Sequence, residues 1–221
     1  MKIGQNTETK GHLYIDDIHT TIIGSVGSGK TTLCHKIYEY YRNVGNPVYY
    51  ITKQVEDNSN YFINKSNYIS ASSLKDAVDL LNKVHKQMMR AFRKMEDAQV
   101  NNYKYLPKLT RRVVIIDGLD EYINSKNTEK VQQLIDTISA ILRLGQFAGI
   151  TVIMSVQSVD NIPDEWKPNY TANNIIYLGH SNKSIMTTTP IVEFNVTDYH
   201  MNPGDGIYVH LNKIGYFTFN K

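Results

Sequence analysis

The chain has 221 residues, 24 Lys and Arg against 21 Asp and Glu, and a single cysteine. Its length suits one α/β domain with a sizeable core, and 41% hydrophobic residues exclude a disordered chain. One cysteine excludes an internal disulfide framework and a multi-cysteine zinc knuckle, and no apolar run reaches the roughly 18 residues that a membrane span needs.

In chain order, Ile18–Ile23 reads as a short strand entering a Gly-rich turn, and Lys30–Asn43 as a helix ended by Gly45-Asn46-Pro47. Val48–Thr52 is a strand, and 57–70 is a polar connection with a short strand at Tyr68–Ser70. Leu74, Ala77, Val78, Leu81, Val84, Met88, Phe92 and Met95 recur at helical spacing, which predicts an amphipathic helix capped by Ser72 or Ser73. Val113–Ile116 is a β-branched run with the pattern of a buried parallel strand. A helix over Thr128–Phe147 and a second buried strand over Ile150–Val156 follow. The tail reads as antiparallel strands at Ile175–Leu178, Ile191–Phe194, Gly206–Leu211 and Tyr216–Phe219. This alternation predicts an α/β fold with a mostly parallel central sheet and antiparallel strands near its C-terminus, in a single domain over 1–221.

Charge is unevenly spread. Residues 75–112 carry ten Lys or Arg and four acids, a net of +6 that leaves −3 for the rest. Such a block is a candidate surface for a polyanion, and its alternative is an ordinary solvated helix face.

The strongest motif is Gly24-Ser25-Val26-Gly27-Ser28-Gly29-Lys30-Thr31, the G-x-x-x-x-G-K-[ST] pattern, between a strand and a helix start. Glycines let successive N–H groups turn toward a phosphate, and the helix N-terminus adds partial positive charge. The pattern assigns ATP to residues 24–31 and the adjoining Thr32, with Lys30 bridging the β- and γ-phosphates and Thr31 coordinating Mg²⁺. Val113-Val114-Ile115-Ile116-Asp117 has the Walker B form, a hydrophobic strand ending in an acid, and Asp117 would hold Mg²⁺ through its waters. Glu121 and Asp120 are both candidates for the base that activates water, with Glu121 preferred. Gln157, at the tip of the next strand, could contact the γ-phosphate or the attacking water.

The order of these segments resembles the motor domain of FtsK/SpoIIIE-type DNA translocases, within the FtsK–HerA group. HLYIDDIHTTIIGSVGSGKT from His12 resembles the strand into the family's Walker A, and Lys53 falls on the Lys of its DPK-like turn. Met88, Arg90 and Met95 match a long-helix pattern in which Gln87 replaces Glu and Phe92 replaces Tyr. RRVVIIDGLDEYI from Arg111, ISAILRLGQFAGITVIMSVQS from Ile138 and PGDGIYVHL from Pro203 continue the colinear series. Two departures stand out. Gly118 occupies the position where the family has Glu after the Walker B Asp, and Asp-Gly-Leu-Asp-Glu resembles the Walker B of NACHT-type signalling NTPases. The 221 residues also match a bare motor core, without a membrane segment or a DNA-reading module.

The resemblance implies a RecA-like P-loop NTPase fold and a homo-oligomeric, commonly hexameric ring with ATP at subunit interfaces and double-stranded DNA in the pore. An arginine from a neighbour would act in trans, with Arg143, Arg90 and Arg93 as candidates. It further implies a packaging-type or mobile-element DNA motor of the cytoplasm (the host's, if viral), targeted by a partner protein at a membrane or portal. The alternatives are an FtsK-like module of a secretion or assembly machine that engages protein, and a slow signalling switch. Cys34 reads as a buried small hydrophobe, and Trp166 as a packing plug or a subunit contact.

Overall fold

The computed structural model describes residues 1–6, 12–14, 18–53, 68–163, 166, 174–179, 186–189, 192–195, 201–202, 204–210 and 213–218. In chain order its strands and helices are β1 (Lys2–Asn6), β2 (His12–Tyr14), β3 (Thr20–Gly24), α1 (Lys30–Asn43), β4 (Val48–Thr52), β5 (Tyr68–Ala71), α2 (Leu74–Asp97), β6 (Arg112–Asp117), α3 (Asp120–Ile123), α4 (Thr128–Leu144), β7 (Ile150–Val156), β8 (Asn174–Leu178), β9 (Met186–Thr189), β10 (Val192–Asn195), β11 (Asp205–His210) and β12 (Lys213–Thr218). They form two compact units, residues 1–37 with 154–221, and residues 38–153.

In the first unit the strands run in the order β2-β1-β12-β11-β8-β3. β3 pairs with β8 in parallel, whereas β8–β11, β11–β12, β12–β1 and β1–β2 are antiparallel. β9 and β10 form a separate antiparallel pair. A buried polar chain ties β3, β8 and β11 together. Asn174 Nδ2 donates to Thr20 Oγ1 at 3.2 Å, and the Tyr208 hydroxyl donates to Asn174 Oδ1 at 2.7 Å. Buried amides must be satisfied, so this chain favours a register that sets Thr20 opposite Asn174.

In the second unit β4 is flanked in parallel by β5 and by β6, with β7 next to β6. β4 is buried at every position, and β6 at every position after Arg112, as expected for β-branched strands covered on both faces. α2 packs on α4 and reaches β5. Its buried side is Ala77, Val78, Leu80, Leu81, Val84, Met88, Ala91 and Met95, and Ser73 caps it by accepting from the Asp76 N–H at 3.1 Å. Burying such a stripe contributes roughly 1.5–3 kcal/mol per large apolar side chain, which outweighs the weak propensity of Val and Phe for helix.

Cys34 is buried in α1, and Trp166 is buried as well, so both pack inside. No helix among the described residues is long and apolar enough to cross a membrane.

Candidate functional site

The phosphate loop leaves the fully buried strand β3 at Gly24 and enters α1 at Lys30. Gly27 and Gly29 have φ of +79° and +100°, values that side chains rarely adopt, and a Cβ on Gly27 would meet nothing within 4 Å. The loop backbone is therefore open at Gly27. Val26 at the tip is 81% exposed. Lys30 lies across the loop, its Nζ donating to the carbonyls of Gly24 at 2.6 Å and Ser25 at 2.9 Å. Thr31 and Thr32 are half-buried in the first helical turn, which carries no acid to compete with an anion.

The loop is backed from below within the same unit. Ser28 is buried, and its Oγ has no hydrogen-bond partner among the described residues. The N–H of Gly204 donates to the Ser28 carbonyl at 3.3 Å. Gly179, with φ of +72°, comes so close that a Cβ there would lie 2.5 Å from Ser28 Cβ. A Cβ on Gly24 would stand 2.5 Å from both Ser28 Oγ and the Leu178 carbonyl oxygen. Ser28 is thus clamped between two glycines, which holds the loop's floor while its exposed rim stays open. Positive-φ glycines, an ammonium over the mouth, an acid-free helix start and a spare buried hydroxyl fit a nucleoside polyphosphate.

In the second unit, β6 carries Asp117 to its end, where the carboxylate is buried. The Tyr50 hydroxyl donates to Asp117 Oδ2 at 3.1 Å, and the Tyr38 ring meets Tyr50 edge-on with centroids 6.0 Å apart. The backbone then turns through Gly118 at φ +80° into α3. The Glu121 N–H donates to the Gly118 carbonyl at 3.0 Å, which closes the turn. A Cβ on Gly118 would lie 3.1 Å from Glu121 Oε1, so this carboxylate borders the space that a side chain at 118 would enter. Asp120 is buried, whereas Glu121 is only half-buried. Lys53 donates from Nζ to the Glu121 carbonyl and lies 5.1 Å from the centre of the Tyr122 ring. Among the described residues no three His, Cys, Asp or Glu side chains cluster around a metal position. Within this unit Asp117 would offer one carboxylate to a hydrated Mg²⁺ ion.

Residues 24–32 are together in the first unit, which also contains Gln157, exposed just after β7. Asp117 and Glu121 are together in the second, where Arg143 is exposed in the last turn of α4 and Arg90 and Arg93 are exposed on α2. Sequence reasoning missed Tyr50, Gly179 and Gly204. Tyr50 was visible as a polar-tipped aromatic on the strand beside the Walker B strand, but only the register places its hydroxyl on Asp117.

Known structures share this fold. The chain matches the pCW3 conjugation coupling protein TcpA, a monomer form with ATPγS, at TM-score 0.81 and 18% identity over 99% of this chain and 64% of that one. It matches ATPases 2 and 3 of EssC from Geobacillus thermodenitrificans at TM-score 0.74 and 18% identity, over 99% of this chain and 44% of that one. The genome packaging NTPase B204 of Sulfolobus turreted icosahedral virus 2, in complex with ATPγS, matches at TM-score 0.53 and 14% identity, over 94% of this chain and all of that one. The chain thus spans less than two thirds of TcpA and EssC. These likenesses establish the fold as α/β, with a mostly parallel sheet and added antiparallel strands. No curated protein matches the chain. A family model, nephrocystin 3, N-terminal, matches residues 16–155, which contain the phosphate loop, Asp117 and most of β7, and the chain belongs to that family.

Proposed function

We propose that this chain is an Mg²⁺-dependent ATPase, an FtsK/SpoIIIE-like motor domain that moves double-stranded DNA as an oligomeric, hexameric ring in a packaging or mobile-element system. The observation that carries the ATPase reading is the phosphate loop, with two positive-φ glycines and Lys30 held across its mouth. In this reading residues 24–32 bind the phosphates, Lys30 stabilises charge on the transferring phosphoryl group, and Thr31 and Asp117 hold Mg²⁺. Bound Mg²⁺ would neutralise charge on the β- and γ-phosphates. Glu121 is favoured over Asp120 as the water-activating base, because its carboxylate borders the side-chain space at Gly118 while Asp120 is buried. Gln157 orients the water or senses the γ-phosphate, and Arg143 acts in trans. A protein partner directs the motor within the cytoplasm to a membrane or portal.

The test is ATP hydrolysis with and without double-stranded DNA, for the wild type and Lys30→Ala. DNA-stimulated turnover that disappears in the variant supports the motor. Lack of both stimulation and DNA binding at low salt sinks the DNA reading.

A second reading, a module of a secretion or assembly machine that engages protein, has its own support. Gly118 replaces the usual Glu in a left-handed turn, and the fold is also that of EccC from Thermomonospora curvata, whose ATPases 2 and 3 are known in complex with a signal sequence peptide. It predicts slow ATP turnover that a peptide, not DNA, accelerates.

A further inference from the structure

The outer face of α2 carries a line of cations that nothing in its own unit explains. Lys83, Lys86, Arg90, Arg93 and Lys94 are all exposed. At 100° per residue they fall within an arc of about 100°, and from Lys83 to Lys94 they cover about 16 Å of helix. Between Asp79 and Glu96 there is no acid in the sequence. None of the five is in an ion pair with a carboxylate of the described residues.

Helix stability does not account for this pattern. Lys83 with Lys86, Lys86 with Arg90, Arg90 with Arg93, and Arg90 with Lys94 are like charges at i,i+3 or i,i+4 spacing, and each such pair disfavours the helix. Only Lys94 is in the last turn, where a cation favours the dipole. A solvated face selected for helicity would interleave acids with bases. Here acids share the arc only outside the Lys83–Lys94 run, at Asp76 and Asp79 before it and at Asp97 after it.

The opposite side of α2 is fixed. The apolar stripe is buried, the Tyr49 hydroxyl donates to Gln87 Oε1 at 2.8 Å, and the Thr137 hydroxyl of α4 donates to Asn82 Oδ1 at 3.3 Å. The helix therefore cannot roll to redistribute its charges. A fixed cationic face has an ordered polyanion as its complement. About 16 Å of duplex DNA presents roughly ten phosphate charges along its axis. We propose that the Lys83–Lys94 face of α2 is a docking surface for the phosphate backbone of double-stranded DNA, binding it without reading sequence. The proposal rests on the DNA reading given above and adds the surface that engages it.

The test compares the wild type, the stripe variant Lys83→Gln/Lys86→Gln/Lys94→Gln, and a control, Lys104→Gln/Lys108→Gln/Lys126→Gln. The control removes the same charge from exposed lysines elsewhere in the unit. Each is titrated with a fluorescent random-sequence duplex and, separately, with phosphatidylserine/phosphatidylcholine vesicles over a salt series. Thermal melting and the DNA-free ATPase rate, expected to be unchanged, report on the fold. The stripe variant should bind the duplex roughly ten- to a hundredfold more weakly than the wild type, and its log–log salt slope should be shallower by about one for each phosphate no longer neutralised. The control should bind nearly as the wild type does. Equal losses in both variants, or a stripe variant that binds like the wild type, overturn the docking surface and leave the DNA reading standing. A wild type that binds no duplex at low salt, with or without vesicle binding, overturns both.

Discussion

The Tyr50 hydroxyl donates to Asp117 Oδ2 at 3.1 Å, and both side chains are buried. β4 and β6 run in parallel with Tyr50 opposite Ile115 and Thr52 opposite Asp117, so the phenol reaches along its neighbour to the strand end. A buried carboxylate needs donors, and one fixed from the adjacent strand also sets its direction. If Asp117 serves Mg²⁺, Tyr50 is its positioning residue. Tyr50→Phe removes the hydroxyl and keeps the ring against Tyr38. The expected outcome is a stability loss of about 1–2 kcal/mol and a severalfold rise in the Mg²⁺ concentration for half-maximal nucleotide binding. An unchanged Mg²⁺ titration in a folded variant would limit Tyr50 to a structural role.

Gly179 and Gly45 have similar backbone angles, φ +72° and +82°, but different surroundings. A Cβ at 45 meets nothing within 4 Å, whereas one at 179 overlaps Ser28 of the phosphate loop. Gly45→Ala should therefore cost about 1 kcal/mol, the left-handed penalty alone. Gly179→Ala should cost about 2–4 kcal/mol, because the overlap adds to that penalty. Only Gly179→Ala should also weaken ATPγS binding, by displacing the loop floor. Calorimetric melts and nucleotide titrations of the pair check this, and equal effects would show that Gly179 does not support the loop.

Burial pushes the Tyr38 phenol above its ordinary range, with Arg42 pulling it down and Glu39 pushing it further up. The folded state therefore holds this proton more tightly than the unfolded chain. Its contribution to stability is present below about pH 10, and it is lost as pH rises from there toward the raised folded value. Tyr38→Phe should flatten part of the alkaline limb in a plot of urea midpoint against pH. A limb of unchanged steepness would show that Tyr38 ionisation does not drive the loss.

Much of the fold was legible in the sequence. The predicted helix over Lys30–Asn43 and the strand over Val48–Thr52 have the observed bounds, because Gly-Asn-Pro punctuation ends one and starts the other. The long helix starts at Leu74 with its Ser73 cap, and its stripe is buried apart from the half-buried Leu74 and Phe92. The helix predicted to reach Phe147 stops at Leu144, where the Ile150 N–H instead donates to the Gly145 carbonyl and opens β7. The tail was expected to be antiparallel throughout, yet β8 is parallel to β3 and turns antiparallel only toward β11. Short apolar strands have the same pattern in either direction, so direction is settled by the pairing partner. The strands β1 and β2 were not predicted, since their few residues are polar and gain regularity only from β12 and from each other.

The sequence by itself determined the chemistry: a Gly-rich loop with Lys30 and Thr31, an acid after a buried strand, and a cationic block with no acid between Asp79 and Glu96. Those are local patterns, written in residues close together along the chain. What only the tertiary structure decided is which distant groups support them. Gly179 and Gly204 come to the floor of the loop from about 150 residues away or more, through β3–β8 pairing and the β11 approach. Tyr50 comes to Asp117 across the β4–β6 register, and Gln87 and Asn82 lock α2 so that its cations face outward. Such contacts depend on strand order, register and close approach, which are properties of packing that no window of sequence contains.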